Sequence, residues 1–193
     1  MHLQMLSLPL NNTFDKCIFI QPSCDFMKFN REKYSNLIMY ILSQCANKRS
    51  FGKTVLCSIL YFIDFNYYEL YSELMTNETY IKSKKGIEPQ HFTEISQELI
   101  SKEQIYFTKK SYYNRTIHKY YPIIIPDVKF SRKELKIINY SIEKLSNNNA
   151  SSITRYAIKD SPIIIARLGE EIDCRYVFSR DKKHSIINRF ITP

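Results

Sequence analysis

Between Asn30 and Cys45 the apolar residues Tyr34, Leu37, Ile38, Ile41, Leu42 and Cys45 return every three or four positions, the spacing that lays one apolar stripe along an α-helix. Asn30 stands where an N-cap belongs, and "ANKRSFGK" breaks the pattern. From about Lys53 to Ser72 the positions Val55, Leu56, Ile59, Leu60, Ile63, Tyr67, Leu70 and Tyr71 form a wider face, with Phe62, Phe65 and Tyr68 spilling around it. A helix apolar over most of its circumference belongs at the centre of a core. "NETYIKSKKGIEPQ", with Gly86 and Pro89, reads as a connection, and Phe92, Ile95, Leu99 and Ile100 mark a third helix over about 90–102.

The period then changes. "QIYFTKKSYYNRTIHKYYPIII" reads as two extended segments, roughly 104–110 and 117–125, around a polar turn near Asn114, and its aromatic and β-branched content predicts a hairpin. Ser131 and Glu134 form a capping box ahead of Leu135, Ile138, Ile142 and Leu145. Asn149 caps a short helix to about Lys159, and Ser161 with Pro162 at the first helical position opens another that stops at Gly169. Residues 1–27, with Pro9 and Pro22 and no helical period, read as an N-terminal extension, and 182–193 as a C-terminal tail. No repeat or linker separates two units. The expected fold is therefore α+β, a predominantly helical single domain over 28–181 with an antiparallel β-hairpin insert, winged-helix-like in its order of helix, helix and hairpin.

Composition adds constraints. A hydrophobic content of 44% over 193 residues is enough for a real core. The net charge of +9, from 28 Lys and Arg against 19 Asp and Glu, favours anionic partners: nucleic acid, acidic proteins or a membrane surface. An Asn/Lys/Ile-heavy texture also raises the lysine count without functional cause. Five cysteines, an odd number with no CxxC pair, suit reduced thiols in a cytoplasmic protein. No stretch approaches 18 apolar residues, so no spanning helix is expected. "MHLQMLSLPLNN" lacks the basic start and small-residue cleavage site of a signal peptide.

Candidate chemistry is sparse. His2, His91, His118 and His184 show no metal-ligand spacing to another His or Cys. "FGKT" at 51–54 lacks the upstream glycine of a phosphate-binding loop. Cys57 lies among apolar neighbours, where thiols are inert packing groups, and Glu170 with Glu171 reads as solvated loop. No catalytic residue, cofactor or metal is expected. Two features stand out. The hairpin is basic, with Lys109, Lys110, Arg115, His118 and Lys119 around Tyr112 and Tyr113, a candidate contact for nucleic-acid phosphates that reads equally well as a solubilising tip. Within "LYFIDFNYY" a single carboxylate, Asp64, interrupts an apolar and aromatic run. Burying it unpaired costs several kcal/mol, so it either faces outward with exposed aromatics or has an internal partner.

The order of motifs resembles a known family. "LCSILYFIDFNYYELYSELMTNETYIKSKKGIEP", followed by "HFTEISQELISKEQI", the hairpin, "YYPIIIPDVKFSRKELKIINYSIEKL" and "LGEEIDCRYVFSRD", is similar to the SocA-like antitoxin, or Panacea, domain over about residues 28–181. The resemblance implies a protein-interaction role: binding and neutralising a partner toxin, or acting as an adaptor that presents a bound client to a protease. It assigns Tyr61, Phe62, Asp64, Phe65 and Tyr68 to the family's central helix and Tyr80, Gly86 and Pro89 to the turn that follows. An internal partner for Asp64, either a basic residue or the backbone of that turn, is the favoured reading. Where the family has a Gly-Pro-Val-Pro turn, this chain has Gly86, Ile87, Glu88 and Pro89. Where the family has Ser-His followed by an acid and a Trp, it has Ala157, Ile158, Asp160 and Ile163. The alternative function is a nucleic-acid-binding regulator that uses the basic hairpin.

Overall fold

In the computed structural model, which describes residues 28–112, 115–127 and 129–190, the Asn30 side chain accepts the Lys33 backbone N–H at 3.0 Å and opens α1 (Arg31–Cys45). The expected extension, 1–27, lies outside the described residues, as do the side chains of Lys110, Tyr112 and Arg115. The second periodic segment forms α2 (Lys53–Tyr71), in which every side chain from Val55 to Glu69 is buried. It is the axis of the molecule, touching later elements on all sides, which is what an all-round apolar helix requires.

The segment expected as a plain connection contains a second hairpin. β1 (Tyr80–Ser83) pairs antiparallel with β2 (Gly86–Pro89), from Tyr80 opposite Pro89 to Ser83 opposite Gly86. Strands of four residues are too short for a two-residue alternation to register in the sequence. Lys84 and Lys85 make the turn, and Gly86 closes it at φ +121°, a conformation that a side chain would strain. After α3 (Phe92–Ser101) the expected hairpin follows as β3 (Ile105–Tyr112) and β4 (Arg115–Pro122). Its strands run from Ile105 opposite Pro122 to Tyr112 opposite Arg115, and its turn at Asn114 lies outside the described residues. Pro122, which has no N–H to donate, ends the strand, so Ile123–Ile125 leave the sheet. The two hairpins are separate two-stranded sheets.

Ser131 and Glu134 form the capping box as expected: Glu134 N–H donates to Ser131 Oγ and Ser131 N–H to Glu134 Oε2, starting α4 (Arg132–Leu145). Asn149 caps α5 (Ala150–Ala157) in the same way. Pro162 lies in the first turn of α6 (Ser161–Ile165), which stops at an extended Ala166, short of Gly169. A 3-10 helix over Cys174–Ser179 and α7 (Ile187–Phe190) complete the described chain. Residues 182–190, expected as part of a tail, pack back on the body, with His184 and Ile186 buried. The architecture is α+β: helices around α2, with the longer hairpin against α1, α2 and α3 and the shorter one against α2 and α5.

Candidate functional site

Three polar residues of α2, Asp64, Asn66 and Glu69, are buried, and each is met by groups from elsewhere. Asp64 is fully enclosed and accepts three hydrogen bonds: from the Thr76 backbone N–H at 2.8 Å, the Thr76 hydroxyl, and the Tyr80 hydroxyl at 2.7 Å. No cation accompanies it among the described residues. Burial pushes its carboxyl up to about 6, against the pull of those three donors, and nearby Glu78 adds to the rise. Asp64 thus fixes the start of the β1–β2 hairpin to the central helix.

A second cluster is ionic. Asp160, at the start of α6, accepts a bidentate pair from the buried Arg180 guanidinium at 2.8 and 2.7 Å, and the Tyr61 hydroxyl at 2.9 Å. Arg180 also donates to Asn66 at 2.9 Å and Glu69 at 3.1 Å, both on α2, and lies over the Phe62 ring. Glu69 further accepts the Ile186 N–H at 3.2 Å. Two carboxylates against one guanidinium, all three desolvated, form a fixed structural core; such groups are tolerated only with this degree of hydrogen bonding. The cluster ties α6, the 3-10 helix and the chain beyond it to α2.

These contacts decide where the sequence-derived site residues lie. Tyr61, Phe62, Asp64, Phe65, Tyr68, Tyr80 and Pro89 are buried, and Gly86 is half-buried at the turn. They form the scaffold and are closed to direct contact with a partner in this conformation. In the basic hairpin, Lys109 and His118 are exposed and face each other across the strands. Lys119 is the exception: it is buried, and its ammonium donates to the Lys48 carbonyl at 2.9 Å. Its neighbour two positions earlier, Ile117, packs toward Gly52, and alternation along a strand puts both on the inward face. The side chains of Lys110 and Arg115 lie outside the described residues.

The sequence reading missed an exposed apolar surface. Ile164 and Ile165 on α6, Leu168 just beyond it, and Tyr176 and Phe178 on the adjoining 3-10 helix are all exposed, Ile164 at 60% and Leu168 at 56%. The start of α6 is clamped to the end of the 3-10 helix, by the Asp160–Arg180 pair and by the Ser161 hydroxyl donating to the Ser179 carbonyl at 2.7 Å. The available signal was the apolar run "IIIA" at 163–166, with Leu168 just after Arg167, of which a five-residue helix can bury only part.

A family model described as "Antitoxin SocA-like, Panacea domain" matches residues 56–162. The chain belongs to the SocA-like antitoxin family. Membership places it among toxin–antitoxin proteins in general. No curated protein and no solved structure matches the chain. In this SocA-like domain the matched stretch begins inside α2 and ends inside α6, so it contains Asp64 and Asp160, while Arg180 lies beyond it. No helix among the described residues is long and apolar enough to cross a membrane.

Proposed function

We propose that this SocA-like protein is a non-catalytic interaction module that binds a partner toxin through the apolar face of α6 and the 3-10 helix. The observation that carries the reading is that Ile164, Ile165, Leu168, Tyr176 and Phe178 are exposed together on elements whose positions are fixed from below. A rigid apolar centre with a polar rim is how protein interfaces are built. The exposed Arg167 and the net charge of +9 favour an acidic partner and repel a second copy of this chain, whereas Arg175 is already paired with Asp173. Neutralisation then follows either from occlusion of the toxin or from presenting it to a protease, and both consequences begin with the same contact.

The test is co-expression with the product of an adjacent gene. That product alone arrests growth, the wild-type chain restores it, and Ile164→Glu with Phe178→Glu abolishes the rescue at equal protein level and equal Tm. Full rescue by the double variant would move the toxin-binding surface elsewhere. A harmless neighbour that does not bind would remove the antitoxin reading itself. The hairpin alternative loses one of its five residues, since Lys119 is occupied inside the fold.

A further inference from the structure

Between α5 and the loop that follows the 3-10 helix lies an open cleft of about 580 Å3. Arg155 on α5 and Lys159 just beyond its end line one side, and Lys182 and Lys183 the other. All four are exposed, and none makes an ion pair with any described residue. The cleft's carboxylate, Asp181, is already engaged: it accepts the backbone N–H groups of Lys183 and His184 at 3.0 Å each and contacts the His184 ring at 2.7 Å, which holds its carboxyl below the usual range.

The basic loop is pinned rather than free. Tyr156 donates through its hydroxyl to the Lys183 carbonyl at 3.1 Å, Lys144 donates to the same carbonyl at 2.8 Å, and the His184 ring donates to the Tyr156 carbonyl at 3.0 Å. Tyr156 and His184 stack with centroids 4.5 Å apart. Folding therefore holds four like charges around one cleft, and their mutual repulsion is relieved when a polyanion enters. We propose that this cleft binds the phosphodiester backbone of single-stranded nucleic acid.

The lining selects that class. It contains no exposed aliphatic side chain, whereas protein interfaces are organised around an apolar centre. Lysine, arginine and serine are the residues that contact phosphates, and Ser152 completes the wall here. A cleft of this volume is too small for a duplex, while cations along both walls suit a strand that threads between them. The site is distinct from both the apolar face of α6 and the β3–β4 hairpin.

The experiment is fluorescence anisotropy of the full chain with a labelled oligothymidylate of about 20 nucleotides, from about 50 to 200 mM salt. Replacing Arg155, Lys159, Lys182 and Lys183 together with Ala is expected to weaken binding at least about tenfold and to flatten the slope of log affinity against log salt by about 3, at roughly 0.7 for each phosphate no longer neutralised. A control variant, Lys109→Ala with Lys110→Ala and Arg115→Ala, is expected to change affinity less than about threefold, since it alters net charge but not the cleft. Equal losses in the two variants would assign the binding to net charge and overturn the proposal. So would undiminished affinity in the quadruple variant, absence of wild-type binding at low salt, tighter binding of duplex than of single strand, or polyglutamate competing as well as unlabelled oligonucleotide.

Discussion

Asp64→Asn separates the charge of the central carboxyl from its shape. In the folded chain that carboxyl is raised from 3.8 to about 6, so the ionised form is disfavoured inside the protein relative to water. At about 1.4 kcal/mol per pH unit, the difference comes to about 3 kcal/mol. The sign follows from proton binding: between pH 3.8 and 6 the folded state holds more proton than the unfolded one, so stability falls as pH rises through that window. Below it Asp64 is neutral in both states and its contribution is intact; above about pH 6 the loss is complete. Asparagine cannot titrate, keeps one carbonyl for the Thr76 N–H, and turns an NH2 toward the hydroxyls of Thr76 and Tyr80. The variant is less stable than wild type at about pH 3, and its deficit shrinks by about 3 kcal/mol on going to about pH 7. Urea unfolding of both proteins across that range measures the difference directly, because every other titrating group cancels between them. A deficit that stays constant within about 0.5 kcal/mol would refute the claim that Asp64 is held without a counter-ion.

Arg180→Ala leaves Asp160 and Glu69 buried without their shared guanidinium and is expected to cost about 3–5 kcal/mol, read as a drop in the urea midpoint; a loss under about 1 kcal/mol would mean the cluster is not closed to water. Ser131→Ala removes the accepting half of the α4 capping box and should cost about 1 kcal/mol, with an unchanged Tm counting against a formed cap. Burial pushes the Cys57 thiol up to about 12. The native protein at about pH 8 should therefore expose as many thiols to a disulfide reagent in Cys57→Ala as in wild type, and one fewer in the variant would show that the site opens.

Periodicity revealed the helices because each of α1, α4 and α5 buries one face against α2, and α3 one face against α1 and β3, and burial on one face is what a three-to-four spacing encodes. Ser131 with Glu134, and Asn149, were legible as caps because capping is local chemistry. The β1–β2 hairpin was hidden by its length. The partners of Asp64 were only half legible: the backbone of the following segment was a natural candidate, but Thr76 and Tyr80 carry no mark that separates them from surface hydroxyls. Arg180 was illegible for a different reason. A buried arginine has the same letter as a solvated one, and its contacts on α2 lie more than a hundred positions away, beyond the reach of any local pattern. Lys119 could have been placed by strand parity with Ile117, whereas the exposed face of α6 required knowing that the helix ends after Ile165.

Arg180 reaches back across 111 positions to Glu69, and Ile186 across 117. The chain thus completes an early helix, α2, with residues made more than a hundred positions later. Until position 180 has emerged during synthesis, Glu69 and Asp160 have no guanidinium to meet. A chain without the Arg180 side chain would have its middle unfastened, with the buried carboxylates of Glu69 and Asp160 left without their shared cation.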